Sequence, residues 1–355
     1  MDAVDDISAA LQATVRNSIA QRTPLQIVGG NSKAFYGRTP HGEQLSVADH
    51  CGVVSYEPTE LVITARAGTR LADIEALLAQ HDQSLPFEPP IFSTSATLGG
   101  AIASGLSGPR RPYAGSARDF VLGVKMLNGK GEILTFGGQV MKNVAGFDAS
   151  RLMTGSMGTL GVLLEVSLKV LPRPEMEQTW VFNFNAADAI RQMNIWAGLP
   201  LPLSGAVFDG QHLTLRLSGS AAALRAAHEK LGGELLADGD KFWEGMRNHT
   251  AAFFQADVPL WRVSVPAATA PLELSGEWLI DWGGAQRWLK TSEAAGIIRD
   301  CATKVGGHAT LFRGGDRAGA VFHPLSAPLL VLHRRLKDAF DPHGIFNPGR
   351  MYQEY

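Results

Sequence analysis

The sequence predicts a two-domain α+β protein with antiparallel sheets, and three observations carry that expectation. The chain has 355 residues, more than one compact core usually holds. Its apolar runs mix strand and helix patterns without a clean βαβ repeat. All seven tryptophans fall between Trp180 and Trp288, which sets a boundary near residues 172–178, where the chain reads LPRPEMEQ. The expected division is residues 1–173 and 174–355.

In chain order, Ile7, Leu11, Val15 and Ile19 recur at helical spacing, and Pro24 closes that helix. Leu25–Val28 reads as a short strand entering Gly29-Gly30. Val53–Tyr56 and Leu61–Ala65 read as strands around Glu57-Pro58. Thr69 is the expected N-cap of a helix carrying Leu71, Ile74, Leu77 and Leu78. Thr97 opens a short helix from Leu98 to Ser104. Asn128-Gly-Lys-Gly131 joins two strands as a hairpin, and Gly161–Leu171 is a long apolar strand stopped by Pro172. Beyond the boundary, strands are expected near Trp180–Phe184, Gly205–Phe208, Leu213–Leu217 and Glu277–Asp281. Helices are expected near Ala186–Trp196, Ala221–Leu231, Ser292–Val305 and Ser326–Phe340. The tryptophans suit either a partner surface or a second core, and the core is the expected reading.

Bulk chemistry excludes several classes. A net charge of −2 from 32 basic and 34 acidic side chains leaves no footprint for nucleic acid. No apolar run reaches the length that spans a bilayer. The N-terminal MDAVDDISAAL lacks the basic start of a secretory signal, so a cytoplasmic protein is expected. Cys51 and Cys301 fit no metal or redox spacing and read as two buried free thiols.

Two glycine-rich segments carry the chemistry. The first, IVGGNSKAFYG, follows a strand, and Val28, Gly29, Gly30, Asn31 and Ser32 offer successive N–H groups that could cradle a phosphate. A plain tight turn is the alternative at this point. The second runs from TLGGAIASGLSGP to KNVAGFDASRLMTGSMGTLG. Thr97, Gly99 and Gly100 sit where a loop becomes a helix, which predicts outward N–H groups. Gly155-Ser-Met-Gly158 would let a flat ring or a phosphate lie against bare backbone. Arg110, Arg111, Arg118, Lys142 and Arg151 are candidate counter-charges. The chain has no G-x-G-x-x-G, Walker A, H-E-x-x-H or G-x-S-x-G motif.

In this order the motifs resemble the FAD-binding domain of the vanillyl-alcohol oxidase / p-cresol methylhydroxylase (PCMH) family over roughly residues 1–172. DAFDPHGIFNPGRM resembles that family's C-terminal D-P-x-G-I-x-N-P-G-K/R. The resemblance implies a PCMH-type FAD-binding domain of two α/β subdomains, then a smaller α+β domain with an antiparallel sheet. Tail residues 340–350 would return to the flavin. It further implies that Val28, Gly29, Gly30, Asn31 and Ser32 hold the pyrophosphate. Thr97, Gly99, Gly100, Ser104, Gly105 and Ser107 would contact pyrophosphate and ring, joined by Gly158 and Asn347, and the Val162 backbone would pair with the adenine. Relatives that attach FAD covalently use a His or Cys that these motifs lack, so noncovalent FAD is implied.

Finer likeness, in GGNSKAFYG, SGLSGPRRPYAGSARDFVLG and MKNVAGFDASRLM, is to the family of FAD-binding subunits of bacterial glycolate oxidase (glycolate dehydrogenase). Such subunits work beside a catalytic flavoprotein subunit and an iron–sulfur subunit, and they reach the inner face of the cell membrane only through that complex. Two departures from 2-hydroxy-acid dehydrogenases stand out. Met157 replaces the carboxylate of G-S-E-G, and ATLFRGGDRAGAVFHPL replaces a His-rich G-E-H-G-x-G. No metal site is implied, and His323 is the remaining candidate base. Three readings stay open at this point: an FAD-binding subunit, a self-sufficient FAD-dependent 2-hydroxy-acid dehydrogenase, or a structural subunit with a vestigial nucleotide site.

Overall fold

The computed structural model describes residues 6–138 and 149–355. The first sheet is antiparallel, in the order β3 (Val53–Glu57), β4 (Val62–Arg66), β8 (Val162–Lys169), β6 (Val121–Leu127) and β7 (Ile133–Gly137). Central β8 is buried along most of its length, as a strand flanked on both edges and covered on both faces should be. Helix Leu71–Ala79 packs Leu71, Ile74 and Leu78 against this sheet beside helix Leu98–Ser104. Apart from this sheet, β1 (Leu25–Val28) pairs in parallel with β2 (Glu43–Ser46). The C-terminal tail lies along β1 on its other side: Leu25 N–H donates to Ile345 O and Asn347 N–H to Leu25 O, at 2.7 and 2.9 Å.

β9 (Leu171–Pro172) pairs with β5 (Gln83–Ser84), and the second sheet begins with β10 (Met176–Asn183). That sheet has eight strands against five in the first. One half holds β13 (Glu234–Leu235), β10, β12 (His212–Gly219) and β11 (Leu203–Phe208). The other holds β15 (Glu277–Asp281), β16 (Gln286–Lys290), β14 (Leu260–Ser264) and β17 (His308–Arg313). The halves meet at a single residue pair, Phe208 with Ile280. Helices Ala186–Ala197 and Ala221–Leu231 pack on one half and Ala295–Lys304 on the other. Val207, Leu260, Trp288 and Phe312 form a core with Tyr36, Leu106 and Met157, so this sheet faces the glycine segments. Trp180, Trp196, Trp243, Trp261 and Trp288 are buried, which bears out the core reading for those five.

Several expectations need correction. Thr69 is not the N-cap of Leu71–Ala79; Arg70 is, and the Thr69 hydroxyl instead pairs with the N–H and C=O of Gly52. Cys51 is exposed and Cys301 half-buried, because Cys51 lies in the turn before β3 rather than inside an element. Strands β14, β16 and β17 and helix Gly239–Asn248 have no counterpart in the sequence reading. Each of those strands carries an arginine, which masks the apolar alternation. Arg287 is almost wholly buried, and its guanidinium donates to the carbonyls of Thr269, Ala270 and Gly284, partners that pattern alone does not reveal. Among the described residues no helix is long and apolar enough to cross a membrane.

Candidate cofactor-binding site

β1 feeds directly into the turn Gly29–Lys33, where Asn31 takes a left-handed φ of 55°. The turn presses against residues 93–97: a Cβ on Gly30 would sit 1.4 Å from the Ser95 carbonyl oxygen, so only glycine fits. The Ser95 hydroxyl donates to Gly30 O at 2.6 Å and holds the contact. None of the N–H groups of Gly29, Gly30, Asn31, Ser32 and Lys33 donates to an acceptor among the described residues. They line an open groove of about 620 Å³. A run of free N–H groups on a concave backbone is a receptor for an anion.

Helix Leu98–Ser104 forms the second wall. Thr97 caps it, its hydroxyl accepting from Gly100 N–H at 3.3 Å. Thr97, Gly100, Ala103 and Ser104 turn one bare face to the groove, at helical spacing. The expected outward N–H groups are absent here, because those of Leu98 and Gly99 donate to Thr69 O and Ala67 O, at 2.8 and 2.7 Å. This segment therefore supplies a flat surface rather than an anion cradle.

The third wall is the turn at Met157-Gly158 with Asn347. A second hollow of about 450 Å³ continues the groove, sharing Ile27, Gly29, Gly100, Ala103, Met157 and Asn347 and adding Gly99 and Gly158. Asn347 is the keystone of the site. Its Oδ1 accepts from Ile27 N–H at 2.8 Å, and its Nδ2 donates to Met157 O at 2.7 Å. Arg350 donates to the carbonyls of Lys33, Ala34, Tyr36 and Arg38 and so braces the chain after the turn. The tail itself is pinned by the buried Lys337, whose Nζ donates to Asp341 Oδ2, Thr159 O and Phe346 O at 2.7–2.8 Å.

Two cations line the groove, Lys33 and Arg350, and among the described residues its lining holds no carboxylate and no imidazole. Burial, with Arg247 nearby, pushes the Lys33 amine down to about 8, and its Nζ has no hydrogen-bond partner. Burial likewise pushes Arg350 down to about 10. Free N–H groups, a bare helix face and unpaired positive charge suit a large ligand with a pyrophosphate, as in FAD.

The groove brings together Val28, Gly29, Gly30, Asn31, Ser32, Thr97, Gly99, Gly100, Ser104, Gly158 and Asn347. Gly105 caps the helix end in a left-handed conformation, and Ser107 accepts from Ala117 N–H; neither lines the groove. Val162 is wholly buried at the start of β8, in the core beside β1. His323 lies elsewhere, its Nδ1 accepting from Ala309 N–H at 3.3 Å and its Nε2 near the Thr303 hydroxyl. The candidate counter-charges also lie elsewhere: Arg110 pairs with Glu88 and Glu177, Arg111 lies over Trp282, and Arg118 is exposed. Arg151 does not line the groove, and Lys142 falls outside the described residues. Lys33 and Arg350, missed as site residues, adjoin the two motifs GGNSK and NPGR.

Comparison with known proteins agrees with this geometry. Residues 4–137 match the family model "FAD binding domain" and residues 317–351 match "FAD linked oxidases, C-terminal domain". The chain is 50% identical over 349 residues to the glycolate oxidase subunit GlcE of Escherichia coli, covering 98% of both chains. It is 31% identical over 173 residues to the glycolate oxidase subunit GlcD of Bacillus subtilis, covering 48% of this chain and 37% of that protein. The solved structure of p-cresol methylhydroxylase with substrate bound superposes with a TM-score of 0.71 at 13% identity, over 99% of this chain and 88% of that one. The fold is thus that of the PCMH-type flavoproteins, and the chain belongs to the FAD-linked oxidase family of the glycolate oxidase subunit GlcE.

Proposed function

We propose that this chain is the FAD-binding subunit of a multi-subunit glycolate dehydrogenase, working beside a catalytic flavoprotein subunit and an iron–sulfur subunit. The observation that carries the reading is the run of five unpaired N–H groups at Gly29–Lys33, facing a groove with two cations and no anion. Those N–H groups hold the pyrophosphate noncovalently. The face of Thr97, Gly100, Ala103 and Ser104 and the Met157-Gly158 turn sandwich the rest, and Asn347 sets the width between them. When bound, FAD supplies the electron acceptor for oxidation of a 2-hydroxy acid. The lining's lack of a carboxylate or imidazole supports a role in relaying electrons or supporting the catalytic subunit, rather than independent proton abstraction. The same reading divides the chain at residues 173/174, with the 340–350 tail returned to the flavin. It places the protein in the cytoplasm, with any membrane attachment made through its partners.

The test is to purify the chain, record its visible spectrum, and add glycolate anaerobically, alone and with both partners. A yellow protein that bleaches only with its partners, and releases FAD on denaturation, is the expected result. Bleaching by the isolated chain would transfer the assignment to a self-sufficient dehydrogenase. A chain that stays colourless after FAD is offered overturns flavin binding.

A further inference from the structure

Behind the groove, Lys33 enters an aromatic box shared by the two halves of the molecule. Its Nζ lies 5.5 Å from the Phe92 ring centroid. The Arg313 guanidinium lies 5.8 Å from the same centroid and 4.8 Å from that of Phe35. Arg262 lies 5.8 Å from the Tyr36 ring centre and donates to its hydroxyl at 3.2 Å. Phe312, Trp288 and His249 complete the walls, with His249 5.1 Å from Phe92 and 4.7 Å from Trp288. No carboxylate among the described residues pairs with Lys33, Arg262 or Arg313.

Three features mark the box as built rather than incidental. Lys33 is only 9% exposed, with no hydrogen-bond partner, and stranding a buried ammonium is costly. His249 Nδ1 is also buried without a partner, and His249 holds a left-handed φ of 54°. Arg313 reaches the box through a β-bulge. Leu260 pairs with Arg313 but Trp261 pairs with Leu311, so Phe312 is the extra residue. By regular alternation Phe312 and Arg313 would point to opposite faces of the sheet; the bulge lets both reach the box. Aromatic walls lower the local dielectric, which strengthens any charge-assisted bond made there.

We propose that Lys33, Arg262 and Arg313 form an anion site of this chain's own that binds a small carboxylate against the Phe92, Phe35 and Tyr36 walls, with His249 as a neutral hydrogen-bonding neighbour. The proposal rests on the flavoprotein reading in one respect, that the box opens beside the cofactor groove through Lys33. Binding alone is inferred, with no chemical step.

The experiment titrates oxalate, a compact dicarboxylate, into the FAD-loaded full chain by calorimetry, with sulfate and inorganic phosphate as comparison anions. FAD content is measured separately by absorbance. Saturable oxalate binding is expected, weakened about tenfold or more by Arg313→Gln and by Lys33→Met, since each removes one charge-assisted contact. Arg313→Lys should restore part of the loss, whereas a purely structural role for the arginine would not follow charge. No oxalate binding at millimolar concentration overturns the proposal, as do variants that bind oxalate like the parent chain. Sulfate or phosphate binding as tightly as oxalate overturns the carboxylate assignment. If Lys33→Met loses FAD but keeps oxalate, the lysine belongs to the flavin and the site as drawn is wrong. Loss of FAD from the parent chain with oxalate binding intact would instead remove the flavin reading and leave this one standing.

Discussion

The two glycine-rich segments look alike in sequence and do opposite things. In the first, the N–H groups of Gly29–Lys33 carry no internal partner, and their shape is imposed by residues some 320 positions away, through Asn347 and Arg350. In the second, the helix at Thr97–Gly100 satisfies its own N–H groups locally and offers only a smooth face. Glycine serves donor exposure in one and close approach in the other. A glycine-rich motif thus says that the backbone comes near something; the hydrogen-bond inventory says whether it binds.

The contrast can be broken at its supports. The largest effect is expected from Lys337→Met, which leaves Asp341 buried without its cation and unpins the tail that shapes the first segment. It should cost roughly 3–5 kcal/mol of stability, read by urea denaturation, and release FAD. Gly30→Ala strikes the first segment directly. Its Cβ would overlap the Ser95 carbonyl, so a loss of about 3 kcal/mol is expected, with most of the flavin absorbance. A variant that keeps both would show the turn is not the anion cradle.

Lys33→Met should act in the opposite direction. The folded-state amine is depressed to about 8 from the model value of 10.5. The unfolded chain therefore binds more protons between those values, and wild-type stability rises as pH climbs through that window. Removing the amine should stabilise the FAD-free chain at pH 7 by about 1–3 kcal/mol and flatten its stability profile between pH 8 and 10. An unchanged melting temperature would show that the lysine is not stranded. The smallest effect is expected from Thr97→Ala, a lost helix cap worth about 1 kcal/mol, with FAD affinity nearly unchanged. A large loss of FAD from this substitution would reverse the comparison and make the second segment the principal donor.

Much of this protein was legible in the chain alone. The order of its motifs, the Thr97 cap, the hairpin at Asn128–Gly131 and the helix Ala221–Leu231 follow from local rules of spacing, capping and turn chemistry, which act within a few residues. Most of the groove residues also stood out, because phosphate loops need glycine at short, recognisable intervals. Tertiary structure decided what local rules cannot carry. Which N–H groups remain free depends on acceptors such as Ala67 O and Thr69 O, distant in sequence from the helix they satisfy. That Asn347 bridges β1 to the Met157 turn, that Arg287 is buried within a strand, and that Lys33 is left without a counter-ion are outcomes of contacts between remote segments. Spacing along a chain encodes periodicity; the pairing of a buried polar group is set only when the folded chain brings, or fails to bring, its partner.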